Sequence, residues 1–401
     1  MSRLLPVDEA VSRVLDGVEA TGMERVPLAN GLGRVLAAPL AGGRDQPPRD
    51  VSAMDGYAVR SADVAALPAE LSVIGTAPAG HPFAGKVGAG EAVRIFTGAV
   101  LPEGADAILL QEDVLPAGDG RIAASETVRT GQHIRRRGLD FEAGAVLLPT
   151  GTRLGMRQLA LAAALDHPHL PVRRRPVVAV IASGDELVLP GAERSDDSII
   201  ASNSYGIAGL VEGLGASVHD LGLVADDKDA IAAAIDAAVG ADVLVTLGGA
   251  SVGDHDFARD VLAGRGMELG FWRIAMRPGK PLIFGRLGKT RVLGLPGNPV
   301  SSLVCSLLFL RPLVEALLGI APADPTVLAR LGGAVRANDG RQDYLRAELA
   351  VAEDGTRTAT PFGRQDSAML STFARSGCLI MRPPLAPAAD AGSLCRVIIL
   401  P

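Results

Sequence analysis

Apolar and polar positions along the chain change period twice. In VDEAVSRVLDGV (7 to 18), Val7, Ala10, Val11, Val14, Leu15 and Val18 fall on one stripe, which predicts an amphipathic helix. Residues 26 to 50 turn often, because Gly42, Gly43, Pro47 and Pro48 break any long element. Residues 57 to 148 read as β-rich: LSVIG, AVRIF, DAILLQEDV and AVLLP are short runs between Gly and Pro clusters. GMRQLALAAAL, near 155 to 165, predicts a second helix. If it packs with the first, the β-rich segment is an insertion between two pieces of one domain.

From 176 to 319 strands and helices alternate. PVVAVIASG, SVHDLGLV, ADVLVTLGG, PLIFG and RVLGL read as strands. SNSYGIAGLVEGLG, DDKDAIAAAIDAAVG and PVSSLVCSLLFLRPLVEALLG read as helices, the second capped by aspartate at its start and glycine at its end. This alternation predicts a doubly wound, mostly parallel sheet with helices on both faces. Ligands of such sheets sit outside the carboxyl ends of the strands. APADPTV (320 to 326) reads as a linker, and RQDYLRAELAVA and CRVIILP as a small β domain. The expected division is a discontinuous N-terminal mixed domain (1–44 with 142–172), an inserted β-rich domain (45–141), the α/β domain (173–322) and a C-terminal β-barrel-like domain (323–401).

Composition narrows the class. The chain has 401 residues, enough for two to four domains, and its 48% hydrophobic and 21% charged residues are those of a globular protein. A net charge of −6 argues against nucleic acid as the main partner. Cys305, Cys378 and Cys395 lie far apart with no CxxC spacing, which excludes a disulfide framework and a cysteine zinc site as sequence readings. The N-terminal stretch has no signal-peptide core, and VSSLVCSLLFL is interrupted by Arg311 and Pro312, so no membrane partner and a cytoplasmic location are expected.

Three loops after predicted strands carry the chemistry. ASGDELV (182 to 188) holds Asp185 and Glu186, and TLGGASVGDHDF (246 to 257) holds Asp254 and Asp256. In LPGNPVS (295 to 301), Asn298 and Pro299 take N-cap and first-turn positions. Amides at that helix start attract an anion, although Asn-Pro also serves for capping alone. Asp254 and Asp256 could likewise cap a helix, and one would suffice. Two of them, with Asp185, Glu186 and Asp226 at other strand ends, repel unless a cation neutralises them. Mg²⁺ takes few carboxylates and completes its shell with water and phosphate oxygens. FWRIAMRPGKPLIFG adds Arg273, Arg277 and Lys280 around a stiff Pro-Gly turn, either a solvated turn or an oxyanion site. PPRDVSAMDGYAVR and IFTGAVLPEGADAILLQEDV supply Asp50, Asp55, Thr97, Glu112 and Asp113, and GQHIRRRGLDF supplies Asp140. No Ser-His-Asp order, HExxH or Walker lysine loop is present.

The motifs SAMDGYAV, IFTGAVLPEGADAILLQED, IRRRG…D, SGDELV, NSY, GGASVGDHD, RPGKP and LPGNPVS stand in one order across almost the whole chain. Together they resemble the molybdopterin molybdenumtransferase family, MoeA, shared with the gephyrin E domain. The resemblance implies insertion of molybdate into adenylyl-molybdopterin with release of AMP, in molybdenum cofactor biosynthesis. It also implies a homodimer whose site lies between the α/β domain of one chain and the β-rich domain of the other. Other molybdenum-cofactor biosynthesis proteins are candidate partners.

Carried over by motif, the catalytic positions are Asp55, Thr97, Glu186, Asp226, Asp256, Arg273 and Arg277. The ligand-binding positions are Asp140, Ser183, Gly184, Gly248, Gly249, Ser251, Gly253, Lys280, Pro296, Gly297, Asn298, Pro299 and Ser367. Asp226 and Asp256 are assigned to Mg²⁺. Departures from the family pattern include Arg273 and Arg277 where many members have lysine, and Leu247, Leu139, Ala250, Asp366 and Ala368 at other motif positions. Competing readings are adenylyl transfer to molybdopterin and a non-catalytic cofactor carrier or scaffold.

Overall fold

The computed structural model describes residues 4–193, 195–248 and 257–400. In strand Val177–Ser183, Val178 to Ala182 are all buried, and successive residues take opposite faces of a sheet. Val178, Val180 and Ala182 join one core, and Ala179 and Ile181 join another. Strand Val243–Leu247 divides the same way: Val243, Val245 and Leu247 enter the first core and Leu244 the second. A strand apolar on both faces needs cover on both. Helices Asn203–Gly213 and Pro299–Cys305 cover the first face through Ile207, Val211, Val300 and Val304. Helices Lys228–Ala237 and Phe257–Gly264 cover the second through Ile231, Ile235, Val261 and Leu262. The domain is doubly wound, as the alternation predicts.

The sheet runs in the order Ser217–Val224, Val177–Ser183, Val243–Leu247, Thr290–Leu295, Ile283–Leu287, Glu268–Trp272. The first four strands are parallel, Ile283–Leu287 runs against them, and Glu268–Trp272, antiparallel to that strand, runs with them again. All four parallel strands therefore end at one edge, and Trp272 ends there too. Asp242 anchors the opposite edge. Its carboxylate accepts bonds from Arg174 at 2.8 and 3.0 Å and from the Val177 amide at 2.7 Å. Its backbone bonds to Val177 and Arg291 on both sides.

One expectation fails. The first helix, Val7–Leu15, does not share a core with the second, Met156–Ala164. Val7, Ala10 and Val14 pack with Leu313, Val314 and Leu317 in the α/β core, whereas Ala162 packs with Leu36, Leu40 and Leu170. The first stripe needs an apolar partner, and the long helix after the sheet offers a larger one. That long helix runs on through Arg311 and Pro312, as PVSSLVCSLLFLRPLVEALLG predicts. It passes from an α-helix (Pro299–Cys305) through a π turn (Ser306–Leu310) into Arg311–Leu317. Proline lacks an amide donor and crowds the carbonyl four residues back, and the wide turn just before it accommodates both defects. By length and composition Pro299–Leu317 could cross a membrane, but 61% of its apolar window is buried inside the protein, which explains its composition.

The mixed N-terminal part pairs Met23–Pro27 with His169–Arg173, and Leu40–Ala41 with Val146–Leu148. Between these pairings the chain makes a six-stranded sheet ordered Ala107–Leu110, Gly56–Val59, Glu91–Ile95, Ala69–Ala77, Arg121–Ala124, Val114–Gly118. At the C-terminus, Gln342–Val351, Arg357–Pro361, Thr326–Leu331, Leu394–Ile399 and Cys378–Arg382 pair in turn, and the last returns to the first. That closes a small barrel around Ala347, Ala359, Ile380 and Val397.

Replacing Asp242→Ala removes a doubly bonded arginine partner and the acceptor for Val177. The expected cost is about 2–3 kcal/mol, seen as a lower urea midpoint at unchanged m-value.

Candidate functional site

The carboxyl edge of the parallel strands gathers backbone rather than bulky side chains. Ser183 and Val224 stand level at adjoining strand ends, as do Leu247 and Leu295. The Gly248 amide donates to the Leu295 carbonyl at 3.2 Å, and the Gly184 amide to Val224 at 3.4 Å. Gly248 has φ +90°, and a Cβ there would stand 2.7 Å from the Ser183 carbonyl oxygen. Only glycine fits this conformation and this approach. A Cβ on Gly297 would come within 3.8 Å of Gly248, so the first and third loops both approach Gly248.

Asn298 is the N-cap of the long helix but makes no side-chain capping bond, and Pro299 fills the first turn. The Asn203 side-chain amide donates to the Gly297 carbonyl at 2.8 Å and fixes the loop from the neighbouring helix. The Val300 amide donates to the Ser367 carbonyl at 3.0 Å, which docks the C-terminal domain on this helix start.

The acidic groups lie one strand further out. The Asp226 amide donates to Asp185 at 3.0 Å. Partial burial, then repulsion from Asp185 and Glu186, raises the Asp226 carboxyl above the usual range, against a hydrogen bond from Ser183. Among the described residues no group of three His, Cys, Asp or Glu side chains is placed to hold a metal ion. The repelling carboxylates have the chemistry a cation would relieve, but the second assigned ligand, Asp256, lies outside the described residues. So do Gly249, Ser251 and Gly253.

The cationic loop follows the edge strand Glu268–Trp272 and reaches the same edge. Arg273 has φ +73° and its guanidinium lies 4.0 Å from the centre of the Trp272 ring, with Arg259 also on that ring at 4.7 Å. A planar guanidinium stacks in this way and an ammonium cannot, which accounts for arginine here. Arg277 is engaged elsewhere: it pairs with Asp339 at 2.7 Å and Asp343 at 3.4 Å in the C-terminal domain. Lys280 is exposed and lines a cleft of roughly 550 Å³ with Asp339 and Arg341. Gly279 (φ +105°) presses the turn onto Cys305, where a Cβ would stand 2.4 Å from the sulfur.

Asp55 and Thr97 belong to the β-rich sheet, not to this edge. The Thr97 amide and hydroxyl each donate to the Asp55 carboxylate at 2.7 Å. Those bonds, with Arg94 nearby, hold the carboxyl below its usual range. Asp140 is exposed on the loop that pairs with Gln46. The strand ends thus bring together Ser183, Gly184, Glu186, Asp226, Gly248, Pro296, Gly297, Asn298 and Pro299, with Ser367 attached. Asp55, Thr97 and Asp140 stand apart within the β-rich region.

One residue escaped the motif reading. Arg346 is fully buried, and none of its guanidinium nitrogens has a hydrogen-bond partner among the described residues. Gln365 holds the Arg346 amide and carbonyl at 2.9 and 3.0 Å, two residues before Ser367. Burial lowers the guanidinium pKa, and Asp366 opposes the shift. An unpaired buried cation costs several kcal/mol unless an anion reaches it. The signal lay in the period: alternation in RQDYLRAELAVA puts Arg346 on the face of Tyr344, an apolar register for a charge.

Residues 5–165 match the model described as the MoeA N-terminal region (domain I and II), residues 179–316 a probable molybdopterin binding domain, and residues 328–400 the MoeA C-terminal region (domain IV). The chain is 37% identical over 384 residues to the molybdopterin molybdenumtransferase of Haemophilus influenzae, covering 94% of each. It is 35% identical to that of Nostoc, over 92% of this chain and 86% of that one. A molybdopterin biosynthesis MoeA protein from Pyrococcus superposes with a TM-score of 0.85 at 33% identity, over 99% of both chains.

Gly248→Ala is expected to cost about 2 kcal/mol or more through strain at positive φ and the clash with Ser183, measured by thermal unfolding. Asp226→Asn should raise the melting temperature of the metal-free protein at pH 7 by about 1 °C or more. The sign follows from linkage: a raised carboxyl pKa means that ionisation, complete at pH 7, disfavours the folded state. The gain should vanish as the pH falls through the raised pKa.

Proposed function

The chain belongs to the MoeA family of molybdopterin molybdenumtransferases, and from that premise we propose that it inserts molybdate into adenylyl-molybdopterin and releases AMP. The observation that carries the reading is the strand-end edge, where Gly248, Gly184 and the Pro296–Asn298 turn converge beside Asp226. The positive end of a helix start and a glycine-lined floor suit a phosphoanhydride. Arg273 and Lys280 suit oxyanions, whether molybdate or phosphate.

In this reading the loops bind and orient the anhydride. Asp226 and Asp256 would hold Mg²⁺, which when bound would neutralise charge developing on the anhydride oxygens. Cleavage is then an in-line displacement in which water attacks one anhydride phosphorus and the bridging oxygen leaves with the other phosphate, giving AMP and the phosphorylated pterin. Asp55 and Thr97 would face these groups from a second copy of the chain, in a homodimer. Asp55, kept ionised by Thr97, would position a proton or cation opposite the strand ends.

Purified enzyme with molybdate should release AMP from adenylyl-molybdopterin. Asp55→Ala and Asp256→Ala should each slow that release by about 100-fold or more while melting as the parent does. Adenylated product made from ATP and molybdopterin would instead assign adenylyl transfer. Wild-type rates in both variants would remove these two carboxylates from the chemistry, and a parent that releases no AMP would leave a carrier or scaffold.

A further inference from the structure

On the β-rich sheet, Tyr57 and Arg94 stand directly opposite each other on neighbouring strands. Phe96 follows two residues after Arg94, so the alternation puts all three on one face. The Arg94 guanidinium lies 5.0 Å from the centre of the Tyr57 ring and 5.1 Å from that of Phe96. It is fixed by donating to the Gly56 carbonyl at 3.2 Å and to the Gln111 side chain at 2.5 Å. A cleft of roughly 610 Å³ opens here, with Tyr57, Arg94, Gln111, Glu112 and Arg121 in its walls. Glu112 is exposed and has no hydrogen bond or ion pair among the described residues. Asp55 lies close enough on this side of the sheet to feel the charge of Arg94.

We propose that this cleft seats the pterin ring of adenylyl-molybdopterin, stacked on Arg94, with Glu112 accepting from the ring's 2-amino group and N3–H. The inference rests on the transferase reading above. A 2-amino-4-oxo ring edge presents two adjacent donors, which match the two oxygens of one carboxylate. Adenine presents a donor beside an acceptor and cannot satisfy a carboxylate twice. A flat fused ring also stacks well on a guanidinium already held in plane. Arg94 is then shared between the ring cleft and the Asp55–Thr97 corner, so the tail of the bound pterin leads toward those catalytic candidates.

The test uses the full-length protein and two probes, 6-hydroxymethylpterin (followed by its fluorescence) and AMP. Glu112→Ala lies at an exposed position and leaves the fold intact, and Arg94→Lys keeps the charge but loses the plane. Each should raise the Kd for the pterin at least fivefold and leave AMP binding unchanged. Each should also raise KM for adenylyl-molybdopterin with little change in kcat. Unchanged pterin binding in both variants overturns the proposal. Equal weakening of AMP also overturns it, because the cleft would then serve the nucleotide ring. A wild-type protein that releases no AMP, while its pterin binding still depends on Glu112, would sink the transferase reading and support the cleft.

Discussion

Burial of the central strands on both faces constrains everything else in this molecule. Val177–Ser183 and Val243–Leu247 have no polar face to give to solvent, so no ligand can approach the sheet from above or below. Only the strand ends remain. Helices on both faces return the chain so that parallel strands end on the same side, and the loops there meet without any long-range steering. The chemistry is placed by packing, and the loops need only small residues to let backbones meet.

Charge is then distributed around that edge by separate devices. Asp226, partly buried and among like charges, is raised in pKa. Asp55, with two donors from one threonine, is lowered. Two carboxylates of one kind are thereby set to different affinities for protons and cations. The cations differ as well. Arg273 is braced on an indole, and Arg277 ties the RPGKP turn to the barrel through Asp339 and Asp343. The barrel also takes one amide of the helix start through Ser367. It is part of the edge rather than an appendage.

Periodicity alone made the α/β alternation legible, since continuous apolar runs and capped helices need no long-range information. Asp227, for instance, accepts from the amides of Asp229 and Ala230 as a helix cap should. The glycines of the strand-end loops were legible for a similar local reason. Partner choice was not. Nothing in VDEAVSRVLDGV says whether its stripe meets Met156–Ala164 or the long helix, because an amphipathic face specifies apolarity and not identity. The engagement of Arg277 was hidden for the same reason: its acidic partners lie more than sixty residues away and pair through tertiary contact. Arg346 was detectable only by asking which face each residue of a strand presents.

The docking of Val7, Ala10 and Val14 against Leu313, Val314 and Leu317 bears on how the chain is made. A ribosome releases the first helix before the β-rich sheet and almost all of the α/β domain exist. Its apolar stripe has no native partner until the last turns of the long helix emerge. The two ends of the α/β core are therefore joined by a late, long-range closure, and the interior of the catalytic domain is sealed only after its loops have been synthesised. A nascent chain stalled before the long helix would carry the opening stripe uncovered, a surface of the kind that chaperones hold.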